Sequence, residues 1–329
     1  MPFADVISPP IQVHNLLTAW QTDWISLTAL CIEIVIGVWY VVLTHRLGHR
    51  GRRWSPWRTA SFLVGTLAVV VATQSGLASY DDSVFQLHVV QHLLLMNVAP
   101  IFYALAAPVT LALQASGRGT QRRLLSVLHT RAIEFITHPV LVVINFAGTM
   151  LIFFLTPFYQ FSLEHPLLHE LTHLHFLISG ILYWWLIVGV DPTRWRLSFP
   201  AKLGALAVGI PTTAVLGLAL TQSRVSIAPP FHTAADTHAG GSILWIVGEL
   251  FTLGAMGIVV IQWMRVDDRE AVRADRRVDA ADTGSLHVQS GAEATASDAP
   301  ESARRDRSTK VAVVDGRLVP VEGGRPGVS

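Results

Sequence analysis

The chain has 329 residues, 51% hydrophobic and only 14% charged, with a formal net charge of +1 and a mean hydropathy of +0.45. Ordinary globular chains carry roughly 25% charge, so this composition cannot cover a water-facing surface. The near-neutral balance argues against a nucleic-acid binder, and a lone cysteine, Cys31, excludes a disulfide scaffold. What remains is an all-α, polytopic membrane protein.

Residues 1–23 read as an extracytoplasmic lead-in, with Leu16, Leu17 and Trp20 suited to the membrane interface and no basic start for a signal peptide. Seven apolar segments follow, at 24–44, 57–76, 86–114, 138–157, 167–190, 201–221 and 243–264. Each approaches or exceeds the roughly 20 residues that cross a bilayer. Trp24, Tyr40, Trp57, Trp184, Trp185, Trp245 and Trp263 stand near their ends as interfacial anchors. Arginines crowd alternate connections: Arg46, Arg50, Arg52, Arg53 and Arg58; then Arg118, Arg122, Arg123 and Arg131; then Arg194 and Arg196 with Lys202. The other connections hold Asp81, Asp82 and Glu164, then Arg224 with Asp236. Positive-inside reasoning predicts an outside N-terminus and a cytoplasmic C-terminus. Residues 24–265 therefore form the membrane domain, and the polar stretch 266–329 reads as a disordered cytoplasmic tail. Within it, Val311–Val314 and Leu318–Val321 flank Asp315-Gly316, a hairpin signal.

The 14 histidines supply the chemistry. In the third segment His88, His92 and Met96 recur every four residues, which sets them on one helix face. In the fifth, His165, His169 and His173 repeat the spacing at the same membrane face. Imidazole binds Cu, Zn, Fe or Ni, and thioether sulfur favours soft Cu(I). Two such rows facing each other would hold one or two ions, with His88, His92, Met96, His169 and His173 as ligands. His175 lies about 200° around the helix from His173 and is expected to bond a neighbouring helix instead. Glu249 and Glu33 are intramembrane acids, costly by default and so candidates for function; Glu249 reads either as a residue that balances metal charge or orients a ligand His, or equally as a neutral acid bonding another helix. Cys31 reads as a small packed residue or a spare thiolate. Pro100, Pro108 and Pro211 interrupt their helices.

His169-Glu170-Leu171-Thr172-His173 also matches the H-E-x-x-H pattern of zinc proteases. No N-P-D-G-like or L-D-G-like segment supplies the third ligand such enzymes use, and Asp191-Pro192 falls at the other membrane face. A metal-ion transporter and a haem-binding membrane protein are further alternatives. A retinal protein is excluded, because Lys202 and Lys310 are the only lysines and neither lies in the last segment.

His88-Val89-Val90-Gln91-His92 through Met96, then Ala99-Pro100, Ala107-Pro108-Val109-Thr110, Thr137-His138-Pro139 and Thr156-Pro157-Phe158-Tyr159, resemble the multi-span CtaG family. The likeness continues through His169, His173-Leu174-His175, Gly180, Trp184-Trp185, Asp191-Pro192, Asp236, Gly240-Gly241 and Gly248-Glu249, with Leu16-Leu17-Thr18-Ala19-Trp20 as its opening. It spans roughly residues 10–265. The resemblance implies a seven-helix assembly factor for caa-type cytochrome c oxidase in the bacterial plasma membrane. The implied cargo is copper, the implied partner is an oxidase subunit, and no catalysis is implied. Family positions fall on His88, His92, Met96, His169, His173, His175 and Glu249. Thr237-His238 stands where the pattern has a Gln, so His238 enters only as a secondary candidate. In some relatives the domain follows a copper-uptake domain in the same chain.

Overall fold

The computed structural model describes residues 19–192, 194–297, 311–314 and 317–320. The chain divides into two compact units, Met1–Ile261 and Gln262–Ser329. Among the described residues six helical stretches are long and apolar enough to cross a membrane: Trp24–His49, Pro56–Tyr80, Phe85–Ala115, Pro166–Val188, Phe199–Thr221 and Ala234–Arg276, the last continuing past the end of the first unit. This is the architecture of a multi-pass membrane protein. The expected span at 138–157 is the shorter apolar helix Pro139–Leu155. Its 17 residues rise about 26 Å, just short of the hydrocarbon thickness. Prolines set both limits: Pro139 opens the helix after the extended His138, and Pro157 follows the extended Thr156.

In chain order the helices are α1 (Trp24–His49), α2 (Pro56–Gln74), α3 (Gly76–Tyr80), α4 (Phe85–Leu93), a π-helical turn (Leu94–Val98), α5 (Ala99–Ala106), α6 (Pro108–Ala115), α7 (Arg118–Leu128) and α8 (Arg131–Ile136). They continue as α9 (Pro139–Leu155), α10 (Phe158–Leu163), α11 (Pro166–Val188), α12 (Phe199–Thr221) and α13 (Ala234–Ser297). Asp23 caps α1, accepting from the amides of Ile25 and Ser26. The outward face of α1 presents Ile32, Ile34, Val35, Ile36 and Val38. Water would penalise such a surface; lipid does not.

The rod from Phe85 to Ala115 is broken twice, and its broken ends are tied down from elsewhere. Pro100 has no N–H, so the Met96 carbonyl four residues earlier loses its helical partner. The Trp184 indole on α11 donates to that carbonyl at 3.2 Å. Ala107 adopts a left-handed φ of 52° before Pro108. Asp191 then caps α6, accepting from the amides of Thr110 (2.7 Å) and Val109 (3.3 Å). At the opposite end Asp236 does the same for α4, accepting from Phe85 N at 2.6 Å and Gln86 N at 3.4 Å. Gly180 lets α11 lie directly on this rod, for a Cβ there would collide with the Met96 carbonyl and Pro100. Around the contact, Phe85, Met96, Phe153, Phe154, Tyr159 and Phe176 form one buried cluster.

Helix α13 runs on through Ser297, past residue 266 where disorder was expected. Alanines and mixed charges such as Asp268, Arg269, Glu270 and Arg273 sustain helix where no apolar core is available. The hairpin forms one residue earlier than the sequence spacing implies: β1 (Val311–Val314) pairs antiparallel with β2 (Arg317–Pro320), Val311 opposite Pro320 and Val314 opposite Arg317. Pro320 thus sits at the outermost pair, where a missing donor costs least. Asp315-Gly316, His14 and the start of the lead-in lie outside the described residues.

Candidate metal centre

The two histidine rows face each other. α4 carries His88 and His92, with ring centres 4.2 Å apart, and α11 carries His169 and His173, 4.4 Å apart. Across the helices His88 and His169 are separated by 5.4 Å, as are His92 and His173. All four are buried. Asp81, at the end of α3, reaches the same space: its Oδ2 lies 3.2 Å from His169 Nε2 and 3.8 Å from His173 Nε2. One ligand atom each from Asp81, His88, His169 and His173 falls within 4.8 Å of the others. A tetrahedral site with bonds of 2.0–2.1 Å has donor–donor edges of about 3.3 Å. Bringing these four atoms to that spacing would need shifts of about 1 Å each.

Both ring nitrogens of His88, His92 and His173 are buried with no hydrogen-bond partner, as is Nδ1 of His169. An unsatisfied buried polar atom costs about 1–3 kcal/mol, so several together mark a place built to receive something. A cation could take one lone pair from each ring; the other nitrogen of a neutral ring carries the proton and needs an acceptor instead.

Met96 is wholly buried one turn beyond His92, in the π turn, and belongs to the same apolar cluster as Phe153 and Phe176, whose rings pack on His92. The remaining candidates make other contacts. His165 is exposed ahead of α11, its Nδ1 bonded to the Phe161 carbonyl at 2.9 Å. His175 bonds Thr149 Oγ1 on α9 at 2.9 Å, as its angle around the helix implies. His238 bonds the Ser223 carbonyl at 2.6 Å. Glu249 accepts from Thr213 on α12 at 2.9 Å; it lies 13 residues along α13 from Asp236, about 20 Å below the α4 end. Cys31 is exposed, and Glu33 accepts from Thr73 at 3.1 Å.

Several residues of the site gave no motif. Asp81 and Asp82 read only as loop charge, although their place seven and six residues before His88 at the histidine-rich end was a usable signal. Tyr159 packs its ring 4.8 Å from His88, and its hydroxyl pairs with His232 Nε2 at 2.6 Å. His232 Nδ1 stands 3.6 Å from Asp236. Burial lowers the His232 pKa, with Asp236 opposing, while burial raises that of Tyr159 well above its usual range. The Tyr159 hydroxyl therefore donates and the neutral imidazole accepts, which steadies the wall behind His88.

Asp82 stands at the rim, 3.8 Å from His169 Nε2. Desolvation, then the neighbouring Asp81 carboxylate, push its pKa up to about 6. Above that pH it adds a negative charge beside the site; below it the charge is lost to a proton. Cation affinity is expected to rise with pH through about 6. In Asp82→Asn this step disappears and only the titration of the imidazoles remains. Affinities measured between pH 5 and 8 check this, and identical pH profiles for the two proteins would refute it.

These features define a multi-pass membrane protein with a buried group of four histidines and an aspartate at one end of its bundle. The model of the cytochrome c oxidase caa3 assembly factor family (Caa3_CtaG) matches residues 38–266, and the chain belongs to that family. It is 33% identical over 288 residues to an uncharacterized protein of Mycobacterium leprae, a match covering 82% of this chain and 43% of that protein. Uncharacterized proteins of Mycobacterium bovis and Mycobacterium tuberculosis are each 31% identical over 287 residues, with the same coverage. The chain thus spans less than half the length of these curated relatives. No solved structure matches it significantly.

Proposed function

We propose that this chain is a non-catalytic assembly factor of the bacterial plasma membrane that receives copper and passes it to a haem–copper cytochrome c oxidase subunit. Seven segments cross the bilayer in this reading, α9 included, with the N-terminus outside. The arginine-rich connections then face the cytoplasm and the histidine site opens outward. The observation that carries the proposal is the pair of buried imidazoles His88 and His92, whose nitrogens have no hydrogen-bond partner, facing His173, whose ring is approached only by carboxylate oxygens of Asp81 at 3.8 Å and Glu170 at 3.6 Å. Cu(I) accepts two or three imidazoles readily. His169 is already engaged by Asp81, so that pair serves as an adjustable fourth arm, drawn in for a divalent ion and relaxed for release.

The protease alternative loses support from the placement of Glu170. Its Oε2 lies 3.6 Å from Nδ1 of His173, whereas Asp81 stands off Nε2 of the same ring. Glu170 thus sits behind a ligand histidine and orients it; a general base must face the water on the metal. Anaerobic Cu(I) titration of detergent-purified protein tests the proposal. One ion per chain is expected, and no binding above a detergent blank would overturn it.

A further inference from the structure

The other end of the bundle carries a feature that copper handling does not use. α7 and α8 bear Arg118, Arg122, Arg123 and Arg131 against a single acid, Glu134. Neither helix has a buried residue. Leu125, Val127, Phe135 and Ile136 are exposed among the arginines, Phe135 by 68%. Large apolar side chains interleaved with arginine suit the boundary between headgroups and acyl chains better than bulk water.

Beside these helices lies a cleft whose lining includes Leu125, Leu128, Ile133, Leu182, Leu186 and Arg194. Trp185, which also lines it, comes 12 residues after His173 on α11, about 18 Å further along the axis. Arg194 pairs with Glu134 at 3.0 Å while half of its side chain stays exposed. The Trp195 indole donates to the Glu134 carbonyl at 3.3 Å. α8 is thereby tied to the segment after α11, which holds the cleft in shape. Its walls are apolar and its surroundings carry excess positive charge.

We propose that this cleft binds one anionic phospholipid, an acyl chain lying between Leu125, Leu128, Ile133 and Leu182 and the phosphate resting near Arg194 and the arginines of α7 and α8. The charge selects an anionic headgroup over a zwitterionic one. The apolar walls select a lipid over free phosphate. Such a lipid would fasten the α7–α8 connection to the bundle independently of any metal at the far end.

The test uses the full chain, delipidated in detergent, with bound lipid counted by native mass spectrometry. Phosphatidylglycerol and phosphatidylcholine of identical acyl chains are compared, with inorganic phosphate as competitor. Phosphatidylglycerol is expected to be retained preferentially, at one molecule per chain. Arg194→Gln is expected to weaken it about fivefold, the effect of one basic group near a lipid headgroup. Leu125→Trp, on an exposed helix face, fills the cleft and is expected to abolish retention with an unchanged unfolding temperature. Equal retention of the two lipids would overturn the proposal, as would undiminished phosphatidylglycerol binding in both variants. Displacement by millimolar inorganic phosphate would overturn it too, by showing a phosphate site instead of a lipid site.

Discussion

His88→Ala/His173→Ala is expected to lower Cu(I) affinity at least about 100-fold, while Asp81→Asn leaves it within about tenfold of the wild type. The first variant removes one imidazole from each helix and so dismantles the bridge between α4 and α11. The second removes a hard oxygen donor that soft Cu(I) does not require. For Zn(II) the order changes: Asp81→Asn is expected to cost about 100-fold, because a borderline divalent ion takes three nitrogens and a carboxylate. Competition titrations with chromophoric chelators, anaerobic for Cu(I), measure both. If Asp81→Asn weakened the two ions equally, the division of labour between the imidazoles and Asp81 would be wrong. If His88→Ala/His173→Ala weakened neither, the site itself would be wrong.

Gly180→Val is expected to destabilise the bundle by about 3 kcal/mol. A Cβ at this position meets the Met96 carbonyl and the Pro100 ring, one a rigid backbone atom and the other a locked side chain. Neither yields, so α11 must move off the broken rod. That motion also stretches the Trp184 bond to the Met96 carbonyl and separates the histidine rows. Thermal unfolding in detergent should fall by about 6–12 °C, with loss of Cu(I) binding. Gly37 supplies the control: nothing stands within 4 Å of a Cβ there, so Gly37→Ala is expected to be neutral or stabilising by up to about 1 kcal/mol. Equal unfolding temperatures for Gly180→Val and the wild type would contradict the close helix contact.

Aspartates are the residues for which the sequence reading was least complete. Asp191 and Asp236 fit the family pattern but carry no recognisable metal or catalytic motif. Each caps a helix far away in the chain: Asp191 the start of α6, Asp236 the start of α4. Caps between distant segments have no local spacing to betray them. Glu249 left two readings open in the sequence, a charge beside a metal or an acid bonding another helix. In the structure the Thr213 hydroxyl on α12 donates to it, a contact that no spacing along the chain states.

Periodicity is a local property, and everything that depends on it was readable from the order of residues. That includes the apolar rods, the proline breaks, the two rows of imidazoles at four-residue spacing, and the turn away of His175. Convergence is not local. Asp81 and His169 are separated by 88 positions, and no pattern along the chain states that they meet. Their meeting follows from Gly180 letting two helices approach and from the bend at Ser75 between α2 and α3 that precedes Asp81. Packing of side chains against distant backbone chooses among the many ways seven apolar helices can assemble, and that choice places a carboxylate beside four histidines.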